Sequence, residues 1–227
     1  MKRTKLRDRS LPNYSRGEEL FNMISHIVGG GVGVLICAAC IIKAFITGGA
    51  YEIVAAFLYG FSMIILYTMS SLYHGLRAGT AKRVFQVLDH CTIFLLIAGT
   101  YTPVSLCSLR ELSPALGWTV FGIVWGLSIL GLILNAIDLK RYSKLSLILY
   151  LLLGWCVILT GKQAVAAMGI PCLVYMLAGG ISYTVGAVFY AVGKKRPKPI
   201  PYMHAVFHIF VVVGSILHFL GVFLYML

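Results

Sequence analysis

Acidic side chains are scarce in this sequence. Asp and Glu number seven among 227 residues, and charged residues of every kind make up 11%. A soluble domain carries roughly a quarter charged residues, so that class is excluded. Long polar stretches are missing too: there is no extended linker, low-complexity segment or internal repeat. The six cysteines (Cys37, Cys40, Cys91, Cys107, Cys156 and Cys172) lie mostly within apolar runs and show no zinc-finger spacing. Cys37 and Cys40 share a helical face, but buried cysteine behaves as a small hydrophobe. We expect structural thiols and no disulfide framework. The last apolar run contains no lysine, which excludes a retinal Schiff-base protein.

What fills the chain instead is apolar. Hydrophobic residues make up 59% and the mean hydropathy is +0.90. The class is a multi-pass protein of the cell membrane. The expected fold is an all-α bundle of seven transmembrane helices, because backbone groups in the bilayer must bond within their own segment. The candidate spans are 22–46, 51–76, 84–108, 115–136, 144–161, 169–192 and 202–226, preceded by a basic tail, 1–21. The breaks read "TGGAYE", "RAGTAKR", "SLRELSP", "DLKRYSK", "GKQ" and "GKKRPKPIP". The run after the tail is too long for a signal-peptide core and lacks a small-x-small cleavage site, so it reads as a retained first span.

The formal net charge of +12 would suggest nucleic acid in a soluble protein. Here it sorts by loop. Lys2, Arg3, Lys5, Arg7, Arg9 and Arg16 lie in the tail; Arg77, Lys82 and Arg83 between spans two and three; Lys140, Arg141 and Lys144 between four and five; Lys194, Lys195, Arg196 and Lys198 between six and seven. Only Lys43, Arg110 and Lys162 fall on the other side. Basic residues mark cytoplasmic loops, which puts the N-terminus in the cytoplasm and the C-terminus outside. No nucleic-acid partner is expected; the partners are membrane lipids.

Ionisable groups within a bilayer are costly, face the bundle interior and suggest function. Ser70 and His74 are four residues apart on one face at the end of span two. Asp89 and His90 open span three, and His204 and His208 open span seven. With the orientation above, Ser70, His74, Asp89, His204 and His208 reach one depth near the cytoplasmic surface. Three neutral imidazoles with an open fourth position suit a catalytic zinc. Such an ion lowers the pKa of water to about 7. Asp89 then fits the role of proton carrier and Ser70 that of orienting group. A proton relay through the same residues is the other reading.

His90 and His218 read as helix–helix hydrogen bonders. His218 lies roughly 15 Å deeper than His208, at about 1.5 Å per residue. Glu18, Glu19, Asn22 and His26 read either as a helix start with acids at its positive end or as a polar lining beside the metal, Asn22 and His26 supporting its ligands. Pro103 is expected to kink span three, and Pro201 to sit just before span seven, a helix-start position. Glycines 29–31, 33, 179 and 180 read as close helix packing.

The segments "SSLYH", "LDHCTIFLLIAGTYTP", "HAVFHIFVVVGSILHF" and "YSRGEELFNMISHIVG" resemble the haemolysin III family. This is the bacterial branch of the progestin and adipoQ receptor proteins, in a superfamily that includes the alkaline ceramidases. The resemblance covers nearly the whole chain. It implies zinc ligands at His74, His204 and His208, with Ser70 and Asp89 at the family's Ser and Asp positions. Adiponectin receptors of this group have seven spans, a cytoplasmic N-terminus and a ceramidase-like lipid-amide hydrolase activity. The sequence lacks their long N-terminal domain, so adiponectin-type signalling is not implied.

Two functions follow as expectations. One is a zinc-dependent hydrolase of ceramide-like or other acyl amides, with Asp89 and Ser70 catalytic. The other is a pore-forming cytolysin, or a non-enzymatic membrane protein in which zinc only joins helices.

Overall fold

The structure, a computed structural model, describes residues 4–194 and 200–227. Of the basic residues assigned to cytoplasmic loops, Lys2, Arg3, Lys195, Arg196 and Lys198 lie outside the described residues, as does the side chain of Lys194. All regular structure among the described residues is helical.

Six helices among them are long and apolar enough to cross a membrane. They are α1 (Arg16–Thr47), α2 (Ala50–Gly75), α3 (Thr80–Leu112), α4 (Pro114–Gly154), α5 (Lys162–Lys194) and α6 (Met203–Tyr225). The sequence leads us to expect seven. The difference lies in α4, where expected spans four and five are joined with a single break at Asp138 (φ −157°, ψ 92°). The Asp138 side chain accepts the Arg141 N–H at 3.2 Å, three residues on, so it caps the helix that restarts there. A break this short leaves no loop between the two arms, 114–137 and 139–154. The second arm ends in a 3₁₀ stretch, Cys156–Thr160, and a turn at Gly161 (φ 49°).

The other irregularities also follow from local chemistry. Ser15 and Glu18 form a reciprocal capping box that starts α1, so the helix begins inside the expected tail. Pro103 has no N–H to give to the ladder; α3 continues past it as a π-helical stretch, Val104–Leu109. α5 breaks at Gly169 (φ 73°), two residues before Pro171. Pro201 lies just before the helix, and Tyr202 caps α6 in a left-handed conformation (φ 63°). Glu18 holds that cap, its carboxylate accepting the Tyr202 N–H at 3.0 Å.

α3 is the central helix, buried continuously from Ala98 to Leu109. α1 packs on α2, α2 on α3, α3 on α4 and α5 on α6, and α1 also meets α6. Leu35 and Ile46 on α1, Ile133 on α4 and Ile170 on α5 are exposed, the outward apolar surface expected of lipid contact. The glycines divide. A Cβ on Gly29 would sit 2.8 Å from Tyr67, and one on Gly179 would overlap His218, so both permit close helix approach. Gly31 faces open space and plays no such part.

Candidate metal centre

His74 occupies the last turn of α2, while His204 and His208 lie in the first two turns of α6. The α1–α6 and α1–α2 contacts bring these ends together. One ring nitrogen from each of His74, His204 and His208 falls within 4.8 Å of the others. Nε2 of His74 and Nε2 of His204 are 3.2 Å apart. Two nitrogens bound to one tetrahedral ion at about 2.0–2.1 Å stand about 3.4 Å apart, so the pair needs almost no adjustment.

The outer nitrogens decide which lone pairs remain for an ion. His74 Nδ1 lies 2.7 Å from the Glu19 carboxylate, which can only accept, so this nitrogen donates. His208 Nδ1 lies 3.3 Å from the Asn22 carbonyl and donates there in the same way, with Ser25 Oγ 3.4 Å away. In both rings Nε2 is left with its lone pair. An acceptor behind each imidazole fixes the ring and raises its basicity, as in many metal sites. The residues present therefore fit a metal ion.

Glu19 is anchored in turn. Its other oxygen pairs with Lys82 Nζ at 2.8 Å. Lys82 is 4% exposed and donates to the carbonyls of Tyr73 at 2.9 Å and Leu76 at 3.1 Å. The sequence suggests a loop charge here; the structure has a buried cation that pins the end of α2. Tyr14, before α1, stacks on His204 with ring centroids 5.3 Å apart and 9° between planes. Burial pushes the Tyr14 phenol up, and Tyr190, Tyr73, Glu19 and Asp89 add to the effect. The N-terminal segment is strapped across this end of the bundle. The Thr4 N–H donates to Asp138 at 2.7 Å, and Arg83 Nε donates to the Arg9 carbonyl at 3.0 Å.

Ser70 is fully buried, one turn before His74. Asp89 is buried on α3, its carboxylate 3.5 Å from the His90 ring. Asn22 and His26 are buried on α1, and the His26 ring stacks on His208 with centroids 3.6 Å apart. Of the two readings of the α1 acids, each applies to one residue: the Glu18 carboxylate accepts the Ser15 N–H at the helix start, whereas Glu19 orients His74. His218 donates from Nε2 to the Met176 carbonyl of α5 at 2.9 Å, a helix–helix bond. The His90 Nδ1 lies 2.8 Å from the Gln86 carbonyl of α3, and the His90 backbone carbonyl links helices, accepting from Tyr150 at 2.6 Å.

Sequence reasoning misses Lys82 and Tyr14. Glu19 carries a signal in its 3, 4 spacing with Asn22 and His26, but nothing in the sequence names its partner.

The profile of the family described as Haemolysin-III related matches residues 14–219. The chain is 38% identical over 210 residues to "Hemolysin-3" of Bacillus cereus, covering 92% of each. It is 36% identical over 212 residues to "Hemolysin-3 homolog" of Bacillus subtilis (strain 168), covering 92% of this chain and 94% of that one. It is also 26% identical over 181 residues to the human "Monocyte to macrophage differentiation factor", covering 78% of this chain and 72% of that protein. With its apolar helices and its matches to the family model and to Hemolysin-3, the chain is a multi-pass protein of the cell membrane and belongs to the haemolysin III family.

Proposed function

We propose that the protein is a zinc-dependent hydrolase that cleaves acyl amides, such as ceramide-like lipids, within the membrane. One observation carries the reading: three imidazoles converge, His74 and His208 buried and His204 half-buried, and an outer acceptor behind each of the two buried rings leaves its Nε2 lone pair available. All-nitrogen donor sets of this kind suit zinc. When bound, zinc would polarise a carbonyl and activate water near neutral pH. His74, His204 and His208 would hold it. Asp89 would carry the proton to the leaving amine from its buried carboxylate, and Ser70 would orient the substrate carbonyl. The arms of α4 before and after Asp138 count as two spans, giving seven, with the N-terminus cytoplasmic and the C-terminus outside.

A second reading draws on the relatives' name, "Hemolysin-3": a cytolysin, or a non-enzymatic protein in which the ion only joins α2 to α6. Burying the Asp89 carboxylate is costly, and joining helices does not require it, which favours chemistry. The test is zinc per chain by elemental analysis of detergent-purified protein, beside a His204→Ala, His208→Ala double variant. About one zinc, absent from the double variant, is expected, followed by turnover of lipid amides that Asp89→Asn removes. Folded wild type without zinc, or turnover unchanged in Asp89→Asn, overturns the hydrolase.

A further inference from the structure

Among the described residues, five polar atoms beside the triad have no hydrogen-bond partner. They are Nδ2 and Oδ1 of Asn22, Nδ1 and Nε2 of His26, and Oγ of Ser70. Asn22 and Ser70 are 0% exposed and His26 is 3% exposed. Folded proteins pair the large majority of buried side-chain polar atoms. Three unpaired side chains in one place therefore point to a missing partner.

Their positions define the place. Glu19, Asn22 and His26 share one face of α1. The first of them bonds His74 and the last stacks on His208, so Asn22 lies between contacts to both rings. On α2, Ser70 lies between His74 and Tyr67, and the Tyr67 ring meets His26 edge-on with centroids 5.0 Å apart. The two sets of unpaired atoms thus flank the triad from adjacent helices.

The donor and acceptor inventory narrows the partner. A carboxamide offers one acceptor oxygen and an N–H donor group. A secondary amide presents the complement, one N–H and one C=O. A neutral imidazole and a hydroxyl each add one donor and one acceptor. An ester has no N–H and would leave Asn22 Oδ1 unpaired.

We propose that Asn22, His26 and Ser70 form a cradle for the amide group of an acyl lipid, and that Asn22 makes the site prefer amides over esters. The proposal rests on the lipid-amide reading of this centre. Neither Asn22 nor His26 belongs to the ion's ligands; Asn22 acts on specificity.

The test is equilibrium binding of a long-chain N-acyl amide and its matched O-acyl ester to zinc-loaded, detergent-purified protein, with zinc content and Tm recorded for each variant. Wild type is expected to bind the amide about tenfold tighter than the ester, the effect of one net hydrogen bond. Asn22→Leu keeps the volume and removes both polar atoms. It should keep its zinc, lose the preference, and match or exceed the wild-type Tm, since an unpaired buried amide is removed. His26→Phe keeps the stack on His208 without its nitrogens and should weaken amide binding with zinc retained. It carries the test alone if Asn22→Leu does not fold.

Equal binding of amide and ester by wild type, or a preference that survives Asn22→Leu, overturns the cradle. So does a folded Asn22→Leu variant whose Tm lies below the wild-type value, which would mean that ordered water pairs these atoms for structure. Failure of the hydrolase reading looks different. Selective amide binding without cleavage sinks the hydrolase and keeps the cradle. Cleavage with an amide-to-ester ratio unmoved by Asn22→Leu sinks the cradle and keeps the hydrolase.

Discussion

Two of the buried polar clusters in the bundle are built on opposite terms. The deeper one surrounds Ser215 on α6. Tyr67 and Tyr183 each bond its hydroxyl, at 2.8 Å and 2.9 Å, and Tyr59 donates to its carbonyl at 3.3 Å. That cluster ties α2, α5 and α6 together with its hydroxyls paired. The other, at the end where α2 finishes and α6 begins, holds three imidazoles in mutual contact beside the unpaired atoms of Asn22, His26 and Ser70. The first network closes upon itself; the second keeps hydrogen-bonding capacity in reserve.

Mutations should separate the two. The largest effect is expected from the His204→Ala, His208→Ala double variant: bound zinc disappears by elemental analysis, and turnover goes with it. Asp89→Asn comes next, with zinc retained and turnover of a lipid amide down about 10²–10⁴-fold, the usual contribution of a proton-transfer group. Glu19→Gln removes the charge behind His74 and strands Lys82; zinc affinity, by competition with a chelator, should fall about 10–100-fold. Ser215→Ala sharpens the contrast from the other side. It leaves two buried phenols without their partner and should cost about 1–3 kcal/mol in thermal unfolding, with zinc content unchanged. Smallest is Gly31→Ala, at a glycine facing open space, which should change stability by less than about 1 kcal/mol. Gly29→Ala, against Tyr67, should be clearly worse in the same assay.

Much of the site is legible before any coordinates. His204 and His208 share a face because helical period alone puts them there, and sorting basic residues by loop brings His74 to their depth. Period and charge say nothing about which helices are neighbours. That is why Glu19 has no named partner until α1 is packed against α2, bringing it to a histidine 55 residues away. Lys82 misleads for a related reason. A lysine between two apolar runs is ordinarily a solvated loop charge, and only the turn of the chain into α3 folds it beneath the carbonyls of α2. Asp138 shows the limit for boundaries. "DLKRYSK" marks a break correctly, but a one-residue interruption that caps its own successor occupies no loop, so span edges counted by hydropathy drift from helix edges counted by geometry.

The separation of the ligands along the chain sets an order of assembly. His74, Glu19 and Lys82 all belong to α1, α2 and the start of α3, so their contacts are complete while most of the polypeptide is still unmade. His204 follows His74 by 130 residues. An ion that needs all three imidazoles can therefore be held only once α6 has been made; a chain stopped before α6 has His74 with its Glu19 partner alone.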